Sequence, residues 1–156
     1  MLLGKKATKI FVAIDGMEKF FPPDKILITG NPVRAAIANA SANRIEAMKF
    51  FSLDETKKTV LIVGGSLGAK SINEAVDMHL DEILKEDLQL IWQTGKPYAA
   101  IAKKRCEGKK GVWVNEFITQ MENAYAAADI VVARSGAMTV AELCVVKKPV
   151  VFIPFP

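Results

Sequence analysis

The sequence predicts an α/β fold in which a parallel sheet carries helices on both faces. Three observations predict it. Short runs of β-branched and aliphatic residues recur from Thr59 onward, each with the composition of a strand buried on both sides: TVLIV at 59–63, LQLIWQ at 88–93, VWVNEF at 112–117, DIVVA at 129–133 and PVVFIPF at 149–155. Stretches of helical composition separate them. The links are short and marked by glycine or proline, so the connections are right-handed crossovers between parallel strands.

The elements follow in chain order. Lys9–Ile14 reads as a strand, Gly16–Phe21 as an irregular piece and Lys25–Thr29 as a second short strand. These two strands precede the repeat with no sheet of their own. Asn31 is placed to cap a helix with Pro32 in its first turn. Ala35–Ser41 is helix or joint, and Arg44–Phe51 is helix with Ile45 and Met48 on one face. Lys70–Leu84 is the clearest amphipathic helix, with Ile72, Val76, Leu80, Ile83 and Leu84 together. His79, the only histidine, falls on or beside its polar side and reads as a surface residue. Pro97–Glu107 is a helix that opens on proline. Thr119 and Glu122 have capping-box spacing for a helix running through Ala128. Ala137–Val146 is helix, and its prolines suit the last strand to a sheet edge.

Composition narrows the function classes. An apolar fraction of 51% over 156 residues fills a core, which argues against disorder. The net charge of +4 is too diffuse to argue for nucleic acid. Lys103-Lys104-Arg105 and Lys109-Lys110 cluster around Cys106 and read as a solvated helix end and loop. Cys106 and Cys144 lack metal-ligand spacing and fit a reducing compartment. No apolar run reaches the roughly 20 residues that span a bilayer. No metal or other cofactor is expected.

The chemistry concentrates in the turns that leave the strands at their carboxyl ends, where Ser66, Thr94, Glu116 and Ser135 fall. The chain is organised around ADIVVARSGAMTVAEL at 128–143. A buried strand, the turn Arg134-Ser135-Gly136 and a helix N-terminus together form an anion site. The first N–H groups of a helix have no internal partner and carry the positive end of its dipole. Thr139 and Glu142, three apart, share a helix face near that end, where a carboxylate accepts hydrogen bonds from a sugar diol. The residues point to a nucleotide or nucleotide-sugar site, although an ordinary capped strand–turn–helix joint has the same pattern.

Gly64–Ser71, GGSLGAKS, approaches the phosphate-loop pattern but has Ala69 where the last glycine belongs, and no strand ends in an aspartate suited to magnesium. The dinucleotide fingerprint fails too, because Gly64 and Gly65 are adjacent and no third glycine is in register. What remains is a looser turn in which Ser66 offers a hydroxyl and backbone N–H groups. The turns after Val63 and Ala133 would hold the two ends of a diphosphate. Thr94-Gly95-Lys96 is a weaker third candidate.

GNPVR at 30–34, GGSLGAKSIN at 64–73, WQTGK at 92–96, NEFITQMENAYAAAD at 115–129 and RSGAMTVAE at 134–142, in this order, closely resemble the MurG family. Its members are UDP-N-acetylglucosamine:lipid I N-acetylglucosaminyltransferases of bacterial peptidoglycan synthesis. The resemblance runs from about Lys9 to Pro156. It implies the GT-B arrangement, two Rossmann-like domains facing a cleft. Residues 1–33 would end the amino-terminal acceptor domain, and residues 34–156 would be an incomplete carboxy-terminal UDP-sugar-binding domain.

Carried over position by position, the resemblance places Arg34 beside the uracil and Ser66 on the diphosphate. Ile118 would meet the uracil edge through its backbone. Ala137, Met138 and Thr139 would present backbone groups to phosphate and sugar, and Glu142 would hold the ribose hydroxyls. Met138 departs from the leucine common in the family. The implied partners are UDP-GlcNAc, a lipid I acceptor and, through the amino-terminal domain, the cytoplasmic face of the plasma membrane. The general base would lie in that domain, outside this sequence, so the chain is expected to bind UDP weakly and to transfer nothing alone. A glycolipid transferase or epimerase using UDP-sugars, and a phosphate-loop NTPase, are the alternatives.

Overall fold

The computed structural model describes residues 3–38, 43–65 and 67–155. The chain divides into two compact units, residues 1–34 and 35–156. In the first, β1 (Ile10–Val12) and β2 (Ile26–Ile28) pair in parallel, with Ile10 opposite Ile26. The expectation that these strands lack a sheet of their own is therefore corrected. Residues 13–25, carrying 3-10 turns at Met17–Lys19 and Pro23–Lys25, supply the dozen or so residues a parallel crossover needs. The helix expected to open at Pro32 is corrected as well. The Val33 N–H donates to the Asn31 carbonyl at 3.0 Å, which bends the chain into a tight turn.

The second unit carries α1 (Ala35–Ala38), α2 (Arg44–Phe50), β3 (Lys58–Val63), α3 (Lys70–Lys85), β4 (Leu88–Gln93) and α4 (Ala99–Cys106). It continues with β5 (Val112–Asn115), α5 (Met121–Ala127), β6 (Ile130–Arg134), α6 (Ala137–Val146) and β7 (Val150–Ile153). The five strands form one parallel sheet in the order β5-β4-β3-β6-β7. The chain winds outward from β3 through β4 to β5, then returns to β6 on the other side of β3. The switch in winding direction lies between β3 and β6, where open α/β sheets place their ligands.

Alternation along the strands assigns the two faces. Ile62, Leu90 and Trp92 meet Ile72, Val76 and Leu80 of α3 and Ala102 and Cys106 of α4. On the opposite face, Phe51 packs edge-on against Trp113 with ring centres 4.9 Å apart, and the Thr59 hydroxyl donates to Met48 Sδ. Helices thus cover both faces, as the buried strand composition requires.

Asp129 locks α2 to the amino end of this sheet. Its Oδ2 accepts from Arg44 at 3.0 Å and from the Thr59 N–H at 2.9 Å, and its Oδ1 accepts from Lys58 at 3.0 Å. Burial works to raise this carboxyl, but the Thr59 N–H, Lys58 and Arg44 outweigh it and hold it below its ordinary value.

Several local expectations change. The capping box does not form: Gln120 occupies the cap of α5, its side chain accepts from the Asn123 side chain and not from a backbone N–H of the helix, and the N–H groups of Asn123 and Ala124 bond to its carbonyl. β5 ends at Asn115, two residues short of Phe117, and Arg134 belongs to β6 rather than to the following turn. The end of the alanine-rich stretch, residues 39–42, lies outside the described residues. β7 lies at the sheet edge, where its flanking prolines cost no ladder bond. His79 is exposed and bonds Glu82 at 2.7 Å.

Candidate functional site

The turns after β3 and β6 leave adjacent strands at one edge, since Val63 lies opposite Ala133. After β6, Ser135 and Gly136 lead into α6. Gly136 occupies the cap position with extended backbone (φ −68°, ψ 142°) and has no side chain with which to bond the helix end. The helix opens with the Val140 N–H donating to the Gly136 carbonyl at 2.9 Å. Ala137 and Met138 are exposed there. Among the described residues, a side chain built on Gly136 would meet only Thr139 Oγ1, at 3.8 Å. The Thr139 hydroxyl thus stands beside the helix tip, where it can add a donor to those of the backbone.

Arg134 joins the two turns. Its Nη2 donates to Ser71 Oγ at 2.9 Å, in the first turn of α3, and its Nη1 donates to the carbonyls of Ile153 and Pro154. Its guanidinium also stacks 5.2 Å from the centre of the Phe155 ring. Sequence reading assigned Arg134 to the turn and missed this bracing role. The basic character of a residue just before a glycine turn is the only signal that pointed to it.

The third glycine turn is a structural partner of the first. A methyl group on Gly68 would lie 2.3 Å from the Thr94 carbonyl oxygen, and one on Gly95 would lie 2.3 Å from the Gly68 nitrogen. Both glycines also have left-handed backbone, φ +75° and +72°. Buried side chains secure the contact: Asn73 Nδ2 donates to the Thr94 carbonyl at 2.8 Å, and Trp92 Nε1 donates to Asn73 Oδ1 at 3.0 Å.

Glu142 lies on the second turn of α6 and accepts a hydrogen bond from the Tyr125 hydroxyl at 2.8 Å. Tyr125 is itself buried, so the carboxylate is held from behind. Ile118 is buried, and its N–H donates to Gln93 Oε1 at 3.0 Å. Ile118, Ala137, Met138, Thr139 and Glu142 all belong to the second unit. Arg34 ends the first unit and is exposed. Ser66 lies outside the described residues.

Other candidate chemistry is engaged in structure. Lys70, where a phosphate loop would place its lysine, is exposed and pairs with Glu74 along α3 at 3.6 Å. Arg105 and Lys109 of the basic cluster pair with Asp81 at 2.8 and 2.7 Å and hold its carboxyl down to about 2. Cys106 is buried, which pushes its thiol up. Among the described residues, no three His, Cys, Asp or Glu side chains gather as a metal site. A cavity of about 640 Å³ opens at the amino ends of β6 and β7, but its Arg44 and Lys148 are committed to backbone carbonyls of Ala127 and Ala128.

A parallel sheet with a glycine turn on each side of its winding switch, and a helix that opens on glycine at one of them, is the Rossmann-like domain of a GT-B glycosyltransferase. The solved structure of MurG from Acinetobacter baumannii aligns over 99% of this chain and 47% of its own, with a TM-score of 0.64 and 25% identity. The chain belongs to the glycosyltransferase family 28 C-terminal domain family, whose model matches residues 59–156. Two relatives carry the name UDP-N-acetylglucosamine–N-acetylmuramyl-(pentapeptide) pyrophosphoryl-undecaprenol N-acetylglucosamine transferase. The one from Parabacteroides distasonis is 52% identical and the one from Flavobacterium psychrophilum 50%, each over 99% of this chain. The chain spans 43% and 42% of their respective lengths.

Proposed function

We propose that this chain supplies the donor side of an inverting glycosyltransferase that moves GlcNAc from UDP-GlcNAc to the C4 hydroxyl of lipid I, giving lipid II for peptidoglycan. In this reading residues 1–33 close an acceptor domain and residues 34–156 bind the nucleotide sugar. The observation that carries it is the N-terminus of α6, which opens on Gly136 beside the turn after β3, with Glu142 one turn further on. The name that both relatives matching 99% of the chain carry supports the choice of sugar and acceptor.

The chemistry follows from those positions. As the acceptor oxygen bonds to the anomeric carbon from one face, the bond to the diphosphate breaks on the other and its electron pair goes to the departing phosphate oxygen. The charge lands on a helix tip whose N–H dipoles are already oriented, so little reorganisation accompanies it. Ala137, Met138 and Thr139 supply the donors, and the Thr139 hydroxyl adds one. Ser66, in the turn across the winding switch, takes the other end of the diphosphate. Glu142, held by Tyr125, accepts from the ribose diol. The Ile118 N–H is committed to Gln93, so uracil recognition falls to its carbonyl, which suits the uracil N3–H. Arg34 stands beside the base. The proton of the acceptor hydroxyl leaves to a base in the acceptor domain.

The proposed setting is the cytoplasmic face of the bacterial plasma membrane, reached peripherally through the acceptor domain. Among the described residues, no helix is long and apolar enough to cross a membrane.

Calorimetric titration of the chain with UDP-GlcNAc, UDP and ADP tests the reading. UDP is expected to bind at least about tenfold tighter than ADP, and Glu142→Ala to weaken it about tenfold, the size of a lost hydrogen bond to a charged group. Equal affinity for ADP and UDP would overturn the uracil assignment. An unchanged UDP affinity in Glu142→Ala would remove the ribose contact.

A further inference from the structure

We propose that Gln93 is a positioning residue that couples recognition of the base to the grip on the diphosphate; the inference rests on the donor-site reading above. Gln93 ends β4, the strand between β3 and β5, and is 2% exposed. Its Nε2 donates to the Gly65 carbonyl at 3.2 Å, in the turn after β3. Its Oε1 accepts from the Ile118 N–H at 3.0 Å, in the loop after β5. One buried amide thus spans two loops, one assigned to the diphosphate and the other to the uracil.

The chemistry of the amide fixes its orientation. The donor end must face the carbonyl and the acceptor end the N–H, because a flipped amide would oppose donor to donor and acceptor to acceptor. Moving either loop leaves half of a buried amide unpaired. Seating the uracil against Ile118 therefore also holds Gly65, and with it the first glycine turn, in place for the phosphates. Uridine and diphosphate bind as one coupled unit rather than as two independent ligands.

Gln89, two pleat repeats earlier on the same face, serves as the control. It makes an equally complete pair of bonds, Nε2 to the Asp54 carbonyl and Oε1 from the Asp54 N–H, both 2.8 Å, at the other end of the strand. Its loss should disturb the fold without touching the coupled loops.

The experiment titrates the 156-residue chain with UDP, uridine and ADP in the wild type, Gln93→Glu, Gln93→Leu and Gln89→Leu. Gln93→Glu keeps the acceptor for Ile118 but sets a carboxylate against the Gly65 carbonyl. It is expected to lose about tenfold in UDP affinity while uridine affinity holds. Gln93→Leu loses both bonds, and its preference for UDP over ADP is expected to shrink to within about threefold. Gln89→Leu is expected to unfold at lower temperature with that preference intact. Amide hydrogen exchange without ligand covers a Gln93→Leu that fails to fold: the Ile118 amide should be protected in the wild type and lose protection in Gln93→Met, while β3 and β4 amides keep theirs.

An unchanged UDP affinity and UDP-to-ADP ratio in a folded Gln93→Leu would overturn the proposal, as would an equal loss of preference in Gln89→Leu or an unprotected Ile118 amide in the wild type. A wild-type chain that binds ADP as tightly as UDP would instead remove the donor-site reading, and the coupling with it. The exchange data distinguish that failure, since they report the clamp without any nucleotide.

Discussion

The buried hydroxyl of Tyr125 donates to Glu142 across 2.8 Å, tying α5 to α6 one turn behind the helix tip. A carboxylate offers about four acceptor directions, and the Tyr125 hydroxyl fixes one of them from behind. Tyr125→Phe is expected to cost about 1 kcal/mol of stability in urea unfolding. It should also narrow the preference for UDP over 2′-deoxy-UDP, read by calorimetry. A preserved preference would mean that Glu142 is not positioned through Tyr125.

Gly68→Ala and Gly95→Ala are expected to be strongly destabilising. The left-handed backbone alone costs an alanine about 1 kcal/mol or more. The added methyl would also approach backbone atoms at 2.3 Å in each case, and backbone cannot step aside as a flexible side chain can. Thermal unfolding reads the effect, with Gly108→Ala as control: Gly108 has the same backbone sign but nothing within 4 Å.

The acid limb of stability should run through Asp129. Its folded carboxyl lies below the ordinary 3.8, so its contribution is fully present above that value and is lost as pH falls through the folded one. Urea unfolding of Asp129→Asn should therefore show lower stability than the wild type near neutral pH and a gap that closes as pH falls through the lowered folded value. A constant gap across that range would mean that the ion pairs with Arg44 and Lys58 do not carry the effect.

Trp92→Phe is expected to strand the buried Asn73 amide oxygen, at about 1–3 kcal/mol in chemical unfolding. It should also loosen the contact between the two glycine turns, seen as faster hydrogen exchange at Gly68 and Gly95.

Lys70→Ala should leave nucleotide affinity unchanged. The side chain is exposed and its nearest partner is Glu74 on the same helix. A magnesium-dependent loss of ATP binding would instead support a phosphate-loop site.

Local pattern made much of this domain legible. The β4 strand at 88–93 and the α6 helix at 137–146 fall where their residues place them, because a strand buried on both faces and a helix after a glycine turn are written in consecutive residues. The opening of α6 just after Gly136 was legible for the same reason. Gln93 was not legible, because at the end of an apolar run it looks like the point where the strand stops. Its two partners are 28 and 25 residues away. The packing of Gly68 against Thr94-Gly95-Lys96, which the sequence offered only as a weaker ligand turn, was not legible either, because the two glycines are far apart in the chain.

The order of residues alone determined the alternation of strand and helix, the parallel sheet and the glycine-marked turns at its carboxyl edge, because each depends on neighbours within a few positions. Only the tertiary structure decided that β6 returns beside β3, that Arg134 reaches Ser71, and that Gln93 holds Gly65 and Ile118 at once. Those pairings are matters of which surfaces bury best against one another across the whole sheet, a choice that no stretch of chain makes by itself.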